Sequence, residues 1–330
     1  MSKAIRLSIL APLALAWLCG SALAQGGVTD STKNPAQIAI LRWYPANLTT
    51  SFPVGQGPIE AAFDGANIWV VNGFQAKTLT KLKASDGAVL GTFSVPDPPG
   101  AIIYDGTNIW TIGSAIPNNK LEKVRPSDGA VIGRFDIPSG GPGLVFDGAN
   151  LWVSGSNSGS GSGFVLKVRA ANGVILGTFP VGSFPRGVAF DGANIWAANS
   201  GDNTVTKLRA SDGAVLGTFP VGSQPEGVAF DGANIWVTNS KPGSNTVTKL
   251  RASDGTVLGN FSVGSVPLAV VFDGANIWVT NSNSNTVTKL RAIDGALLGT
   301  FAVGTEPGGA SFDGTHLWVV NGLSNSVTKL

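Results

Sequence analysis

Cysteine and histidine are almost missing from this sequence: Cys19 is the only cysteine and His316 the only histidine. A lone cysteine makes no internal disulfide. One histidine makes no histidine metal cluster, and no thiol is left in the body of the chain to pair with it as a nucleophile. Charge is scarce as well. Asp, Glu, Lys and Arg make up 13% of the residues, and the formal net charge is +2. Setting aside Lys3 and Arg6 leaves 20 basic side chains against 20 acidic ones. That balance argues against nucleic acid as a partner, because phosphate binding needs a basic face to displace counterions. After Ala24 no stretch is long and apolar enough to cross a bilayer as a helix, so no transmembrane segment is expected.

The start of the chain, Met1 to Ala24, has a different character. Lys3 and Arg6 precede an apolar run from Leu7 to Leu18, and Ala22-Leu23-Ala24 offers small residues at a cleavage position. These are the parts of a secretory signal peptide, with cleavage expected after Ala24 and delivery to the periplasm or the outside. Cys19 leaves with it. The exported chain must therefore be held by packing and hydrogen bonds alone, which about 300 residues can supply. The 45 glycines carry no three-residue period and sit among abundant apolar residues, which excludes collagen and disorder.

A repeat dominates what remains. Phe-Asp-Gly-Ala-Asn-Ile-Trp occurs whole at 190–196, 230–236 and 272–278, with variants starting at Phe63, Tyr104, Phe146 and Phe312. The marker aspartates are Asp64, Asp105, Asp147, Asp191, Asp231, Asp273 and Asp313, which recur at a nearly constant interval and define seven units. Each unit reads as four short strands. In the copy at 221–261, Gly227–Phe230 is the first, Asp231–Asn234 turns the chain, and Ile235–Thr238 is the second. Thr246–Leu250 alternates with period two as the third strand, and Thr256–Val263 follows a Ser-Asp-Gly turn as the fourth. Four strands per repeat of this length, with no helical period, describe an all-β, seven-bladed β-propeller with antiparallel blades.

The spacing also shows where the units vary. The interval from marker Asp to Trp never changes. The repeat lysines, from Lys81 to Lys329, are equally regular on their far side: Lys81 stands as far before Asp105 as Lys207 does before Asp231, and the other blades agree. All variation falls between Trp and Lys, shortest from Trp196 to Lys207 and longest from Trp152 to Lys167. That interval is the loop from the second strand to the third. The same ruler, laid back from Asp64, puts Ile40 in a lysine position. Residues 48–54 then become the fourth strand of the last blade, closing the ring and removing an exposed sheet edge. The expected organisation is a signal peptide over 1–24, a flexible leader over 25–39 and one propeller domain over 40–330.

Second-to-third loops and blade-to-blade linkers share one face of such a fold, so candidate functional residues are sought there. The second strand ends in Asn72, Asn199, Asn239, Asn281 and Asn321, with Gly113 and Gly155 in the other two blades. Such an amide ring either holds a ligand or cation or caps local turns. One residue after the proline that opens each blade the type changes: Ile59, Gly100, Arg186, Glu226, Leu268, Gly308 and, shifted in blade three, Pro142. With Glu60 and Glu306 nearby, this position is expected to rim the central channel. Arg186 and Glu226, in adjacent blades, form either a functional pair or a simple ion pair. The repeated tryptophans are expected between blades, and the repeat lysines are expected to be structural, paired with turn aspartates. His316 replaces a turn Asn on the opposite face and is assigned no role.

Ile-Trp-Val-Thr-Asn-Ser, Thr-Val-Thr-Lys-Leu-Arg and Gly-Thr-Phe-Pro-Val-Gly with a following proline resemble the YVTN and NHL-type repeat propellers. They also resemble the virginiamycin B (streptogramin) lyase-like family, over roughly residues 40–330. That resemblance implies a lyase acting by elimination, with a loop-face histidine and magnesium. A relationship to sugar lactonases would instead imply a metal held by a carboxylate and amides. No histidine of this chain lies on the loop face. The preferred reading is a non-catalytic, monomeric binding or scaffold module that engages a ligand or an envelope protein. The alternative is a metal-dependent lyase or lactonase built on Glu60, Glu226 or Glu306 with a divalent cation in the channel.

Overall fold

The computed structural model describes residues 50–330 apart from 74, 114–118 and 158. The expected signal peptide and leader, and the start of the closing strand, lie outside the described residues. Within them, 28 strands form seven four-stranded antiparallel sheets. Blade four is representative. Its inner strand, Pro185–Phe190, pairs with Asn194–Asn199, which pairs with Thr204–Arg209, which pairs in turn with the outer strand Val215–Pro220. Each inner strand touches the inner strand of the next blade, and Pro307–Phe312 of blade seven returns to Pro58–Phe63 of blade one. The seven inner strands thus enclose a central channel. None of the described helical segments is long and apolar enough to cross a membrane.

Closure occurs in the register that the spacing predicts. Ser51, Phe52 and Pro53 face Thr328, Val327 and Ser326, and the Lys329 N–H donates to the Thr50 carbonyl at 2.6 Å. Phe52 lies 5.5 Å from Trp318, matching the 5.6 Å between Phe219 and Trp196 within blade four. Over Ser51–Pro53 the closing strand therefore takes the place of an ordinary outer strand.

The core sits between blades, as the tryptophan register implies. Trp69 of blade one packs with Ile102, Ile109 and Val124 of blade two, and Trp152 of blade three packs with Val188, Ile195 and Leu208 of blade four. Burying one such ring contributes roughly 4–6 kcal/mol of gross hydrophobic stabilisation. Its indole N–H is satisfied by the marker aspartate upstream: Trp236 donates to Asp231 at 2.7 Å. The other Asp231 oxygen accepts from the backbone N–H groups of Ala233 and Asn234, so the marker aspartate makes the turn and anchors the ring.

The repeat lysines do something other than pair with those aspartates. Lys207 Nζ stands 5.0 Å over the Trp196 ring and donates to the carbonyls of Ala252 at 2.6 Å and Ser253 at 3.2 Å in the following blade. Lys81 reaches Pro126 O, and Lys329 reaches Ala84 O across the closure, both at 2.8 Å. The carboxylates are already occupied by indole and backbone donors, whereas the long lysine stem reaches the carbonyls of the adjacent blade's turn. Lys289 is the exception among the described residues, lying 3.9 Å from Asp273.

Candidate functional site at the mouth of the central channel

Loops and linkers do share a face. Gly201 N donates to Ser183 O, Lys241 N to Ser223 O and Leu323 N to Thr305 O, tying each of these second-to-third loops to the linker that enters its blade. The opposite face carries the short Asp-Gly turns, where Ala210 N donates to Ala193 O. His316 is there, its Nδ1 3.6 Å from Asp313.

The five asparagines are not on the channel surface. All have zero exposure. Asn199 Nδ2 donates to Thr204 Oγ1 at 3.0 Å and Thr206 Oγ1 at 2.8 Å, and Asn72, Asn239 and Asn281 repeat this with their own threonines. Asn321 uses Ser326 and Thr328. They cross-link second and third strands inside the blades and expose no surface to the channel.

Blades two and three fill the same place differently, a substitution the repeat pattern alone did not expose. In blade two Gly113 replaces Asn and Glu122 replaces the buried Thr. Arg134 on the outer strand donates through Nε to Glu122 Oε1 at 3.0 Å and pairs with Asp97 in the linker. Burial pushes the Glu122 carboxyl up to about 7, against the pull of Arg134. In blade three Gly155 leaves room for the Phe164 ring, with Leu166 beside it. Polar, ionic and apolar plugs therefore occupy one structural position, each made possible by the residue that ends the second strand.

Glu306 is exposed, in a left-handed conformation (φ 53°), with its N–H bound to Asn285 Oδ1 at 2.9 Å. No described hydrogen bond or ion pair links it to Glu60. Glu226 faces Arg186, with Oε2 and Nε 3.8 Å apart. Desolvation raises the Glu226 pKa while Arg186 opposes the rise. Among the described residues no group of three or more His, Cys, Asp or Glu is disposed to hold a metal ion. With the asparagines sealed inside the blades, the residues present do not assemble the carboxylate–amide metal cage that the sequence left open.

What does assemble is a cavity of about 440 Å³ at the channel mouth, lined from blades one to four by residues including Ile59, Glu60, Pro142, Ser156, Phe184 and Arg186. Blade three makes the space. Its inner strand is cut to Leu144–Phe146, half the length of Pro185–Phe190 in blade four, and Gly140-Gly141-Pro142-Gly143 precedes it. Proline has no N–H for the ladder, and Gly143 must stay small because a Cβ there would collide with the Arg186 carbonyl. Phe184, with φ 49° and half its surface exposed, overhangs the cavity from blade four. Phe184, Ser156 and the glycines Gly140, Gly141 and Gly143 were not singled out from the sequence; only the shifted Pro142 pointed to them.

Glu60 is the irregular residue of this site. At the matching position before the marker aspartate the other blades carry Ala101, Gly143, Gly187, Gly227, Ala269 and Gly309. This column packs blade against blade: a Cβ on Gly187 or Gly227 would strike the backbone of the next inner strand. Glu60 alone has a long polar side chain there, and Gly309 of blade seven leaves the space that its carboxylate occupies. Its only described hydrogen bond comes from the Ala61 N–H at 3.4 Å. Burial pushes its carboxyl up to about 7, with the Ala61 N–H opposing weakly.

The fold and site together define a seven-bladed propeller with an open, amphipathic channel mouth. No family model matches the sequence, and no curated protein matches it. Among solved structures it is similar to a streptogramin B lyase (TM-score 0.68, 19% identity, 84% of this chain and 95% of that chain). It is also similar to Kuenenia stuttgartiensis hydrazine synthase (TM-score 0.70, 18% identity, 83% of this chain and 95% of that chain). At such identities the likeness is one of fold.

Proposed function

We propose that this protein is an exported, non-catalytic propeller that binds a small ligand at the channel mouth on its loop face. One observation carries the reading: departures from the repeat in four neighbouring blades, among them blade three's short inner strand, Glu60, Phe184 and Arg186, converge on a single cavity. Pockets of this size, mainly apolar with a few placed polar groups, suit small ligands. Export rests on the signal-like stretch from Met1 to Ala24. No described hydrogen bond pairs Ser156, the hydroxyl of the lining, with a base, so the reading assigns binding rather than turnover.

Gly100 provides the test. It lines the cavity, and a Cβ there would meet nothing nearer than the Ile112 carbonyl at 3.5 Å. Gly100→Phe should therefore fill the cavity without unfolding the protein. In a thermal-shift screen of a metabolite library, ligands that stabilise the native protein should lose their effect on Gly100→Phe while its unliganded Tm stays close to wild type. Ligands that stabilise both equally would place binding elsewhere. Chelator-sensitive turnover of lactones, abolished in Glu226→Ala, would replace this reading with the hydrolytic or lyase alternative.

A further inference from the structure

Resting on the channel-mouth reading, we infer that the cavity recognises an organic cation, a primary ammonium group on an apolar body, with Glu60 as its counter-ion. The charges of the cavity set its sign. Arg186 is the basic side chain of the lining, and it is already opposed by Glu226 at 3.8 Å. Glu60 has no ion-pair partner among the described residues, and its single hydrogen bond, at 3.4 Å, is long. The site therefore carries one unmatched carboxylate. A half-buried carboxylate without a cation is costly, and a bound ammonium removes that cost with a charge-assisted hydrogen bond.

The rest of the wall fits the same ligand. Ile59, Pro142 and Phe184 offer apolar surface for a hydrocarbon or aromatic body, and Ser156 adds a hydroxyl. The placement of Glu60 is also provided for by its neighbour. Its position holds Gly or Ala in the other six blades, and Gly309, where a Cβ would collide with the carboxylate, leaves room for it.

Isothermal titration of the full exported chain at pH 8 with 2-phenylethylammonium, 2-phenylethanol and 3-phenylpropionate tests the inference. The ammonium should bind, and the alcohol and the carboxylate should not compete with it. Glu60→Gln should weaken the ammonium by about ten- to a hundredfold, the loss expected for one charge-assisted hydrogen bond. Glu60→Ala, which installs the residue type of Ala101 and Ala269, should fold and show the same loss. Preference for 3-phenylpropionate, an unchanged affinity in Glu60→Gln, or no binding of the ammonium would each overturn the cation assignment. Neutral or anionic ligands that bind and are lost in Gly100→Phe would leave the channel-mouth reading standing while this inference fails.

Discussion

At Asp191 one carboxylate meets four N–H donors: the backbone of Ala193 and Asn194, the Asn194 amide and the Trp196 indole. Burial alone would raise its pKa, but the indole and the other donors outweigh it and hold the group below the usual range. Asp64, Asp147, Asp273 and Asp313 behave alike. A carboxyl depressed by folding stabilises the fold above its unfolded pKa, and that contribution is lost as pH falls through the folded value. Glu60 has the opposite sign. Its folded pKa, about 7, lies above the ordinary 4.5, so its destabilising effect grows as pH rises from about 4.5 to 7 and is complete above that. Glu60→Gln keeps the shape and removes the charge. It should leave stability near wild type at pH 5 and raise it at pH 8 by roughly 1–3 kcal/mol, measured by urea denaturation. Equal stability of the two proteins at pH 8 would mean that the carboxylate is solvated or already paired.

A strand can be complete in fold terms while coming from the far end of the chain, as Ser51–Pro53 does in blade seven. Its Phe52 contacts Trp318 as Phe219 contacts Trp196, and a Cβ on Gly87 would collide with its ring. Phe52→Ala should therefore cost about 3–5 kcal/mol, close to Phe219→Ala, in parallel urea titrations. A cost near zero would show that the closing strand is dispensable. This closure was legible in the sequence because the interval between lysine and marker aspartate is constant, and strand pairing with period two converts constant spacing into constant register. The candidate site was legible only in part. Arg186 and Glu226 were visible as breaks in the repeat, and Glu60 as a neighbour of the channel rim. The cavity was not, since it depends on how far Gly140–Gly143 falls short of pairing and on the left-handed backbone at Phe184. The asparagine ring misled for a related reason: position on a strand end does not tell which way an amide packs, and the hydroxyls of the third strand turn it inward. Likewise, the Glu122–Arg134–Asp97 cluster is spread over three elements and becomes one feature only when the blade is assembled.

Around the ring, with Lys289 the exception, the lysines link the blades in one direction. The hooks from Lys167, Lys207 and Lys249 each leave a third strand, cross their own tryptophan and end on the turn of the following blade, and Lys329 to Ala84 carries the pattern over the closure. A linear repeat array unfolds piecewise, because its end units have a single neighbour. A closed ring has no end unit, and loosening one blade exposes tryptophan layers on both sides. Lys207→Met isolates one hook: it keeps the apolar stem over Trp196 but removes the ammonium that serves the Ala252 and Ser253 carbonyls. Losing these partners should cost about 1–3 kcal/mol. If the ring is one cooperative unit, the variant unfolds at lower urea with an unchanged m-value, and tryptophan fluorescence and far-ultraviolet circular dichroism report one coincident transition. Separate transitions, or a reduced m-value, would instead show that the blades flanking the cut hook unfold on their own, and that the hooks fasten neighbours without unifying the ring.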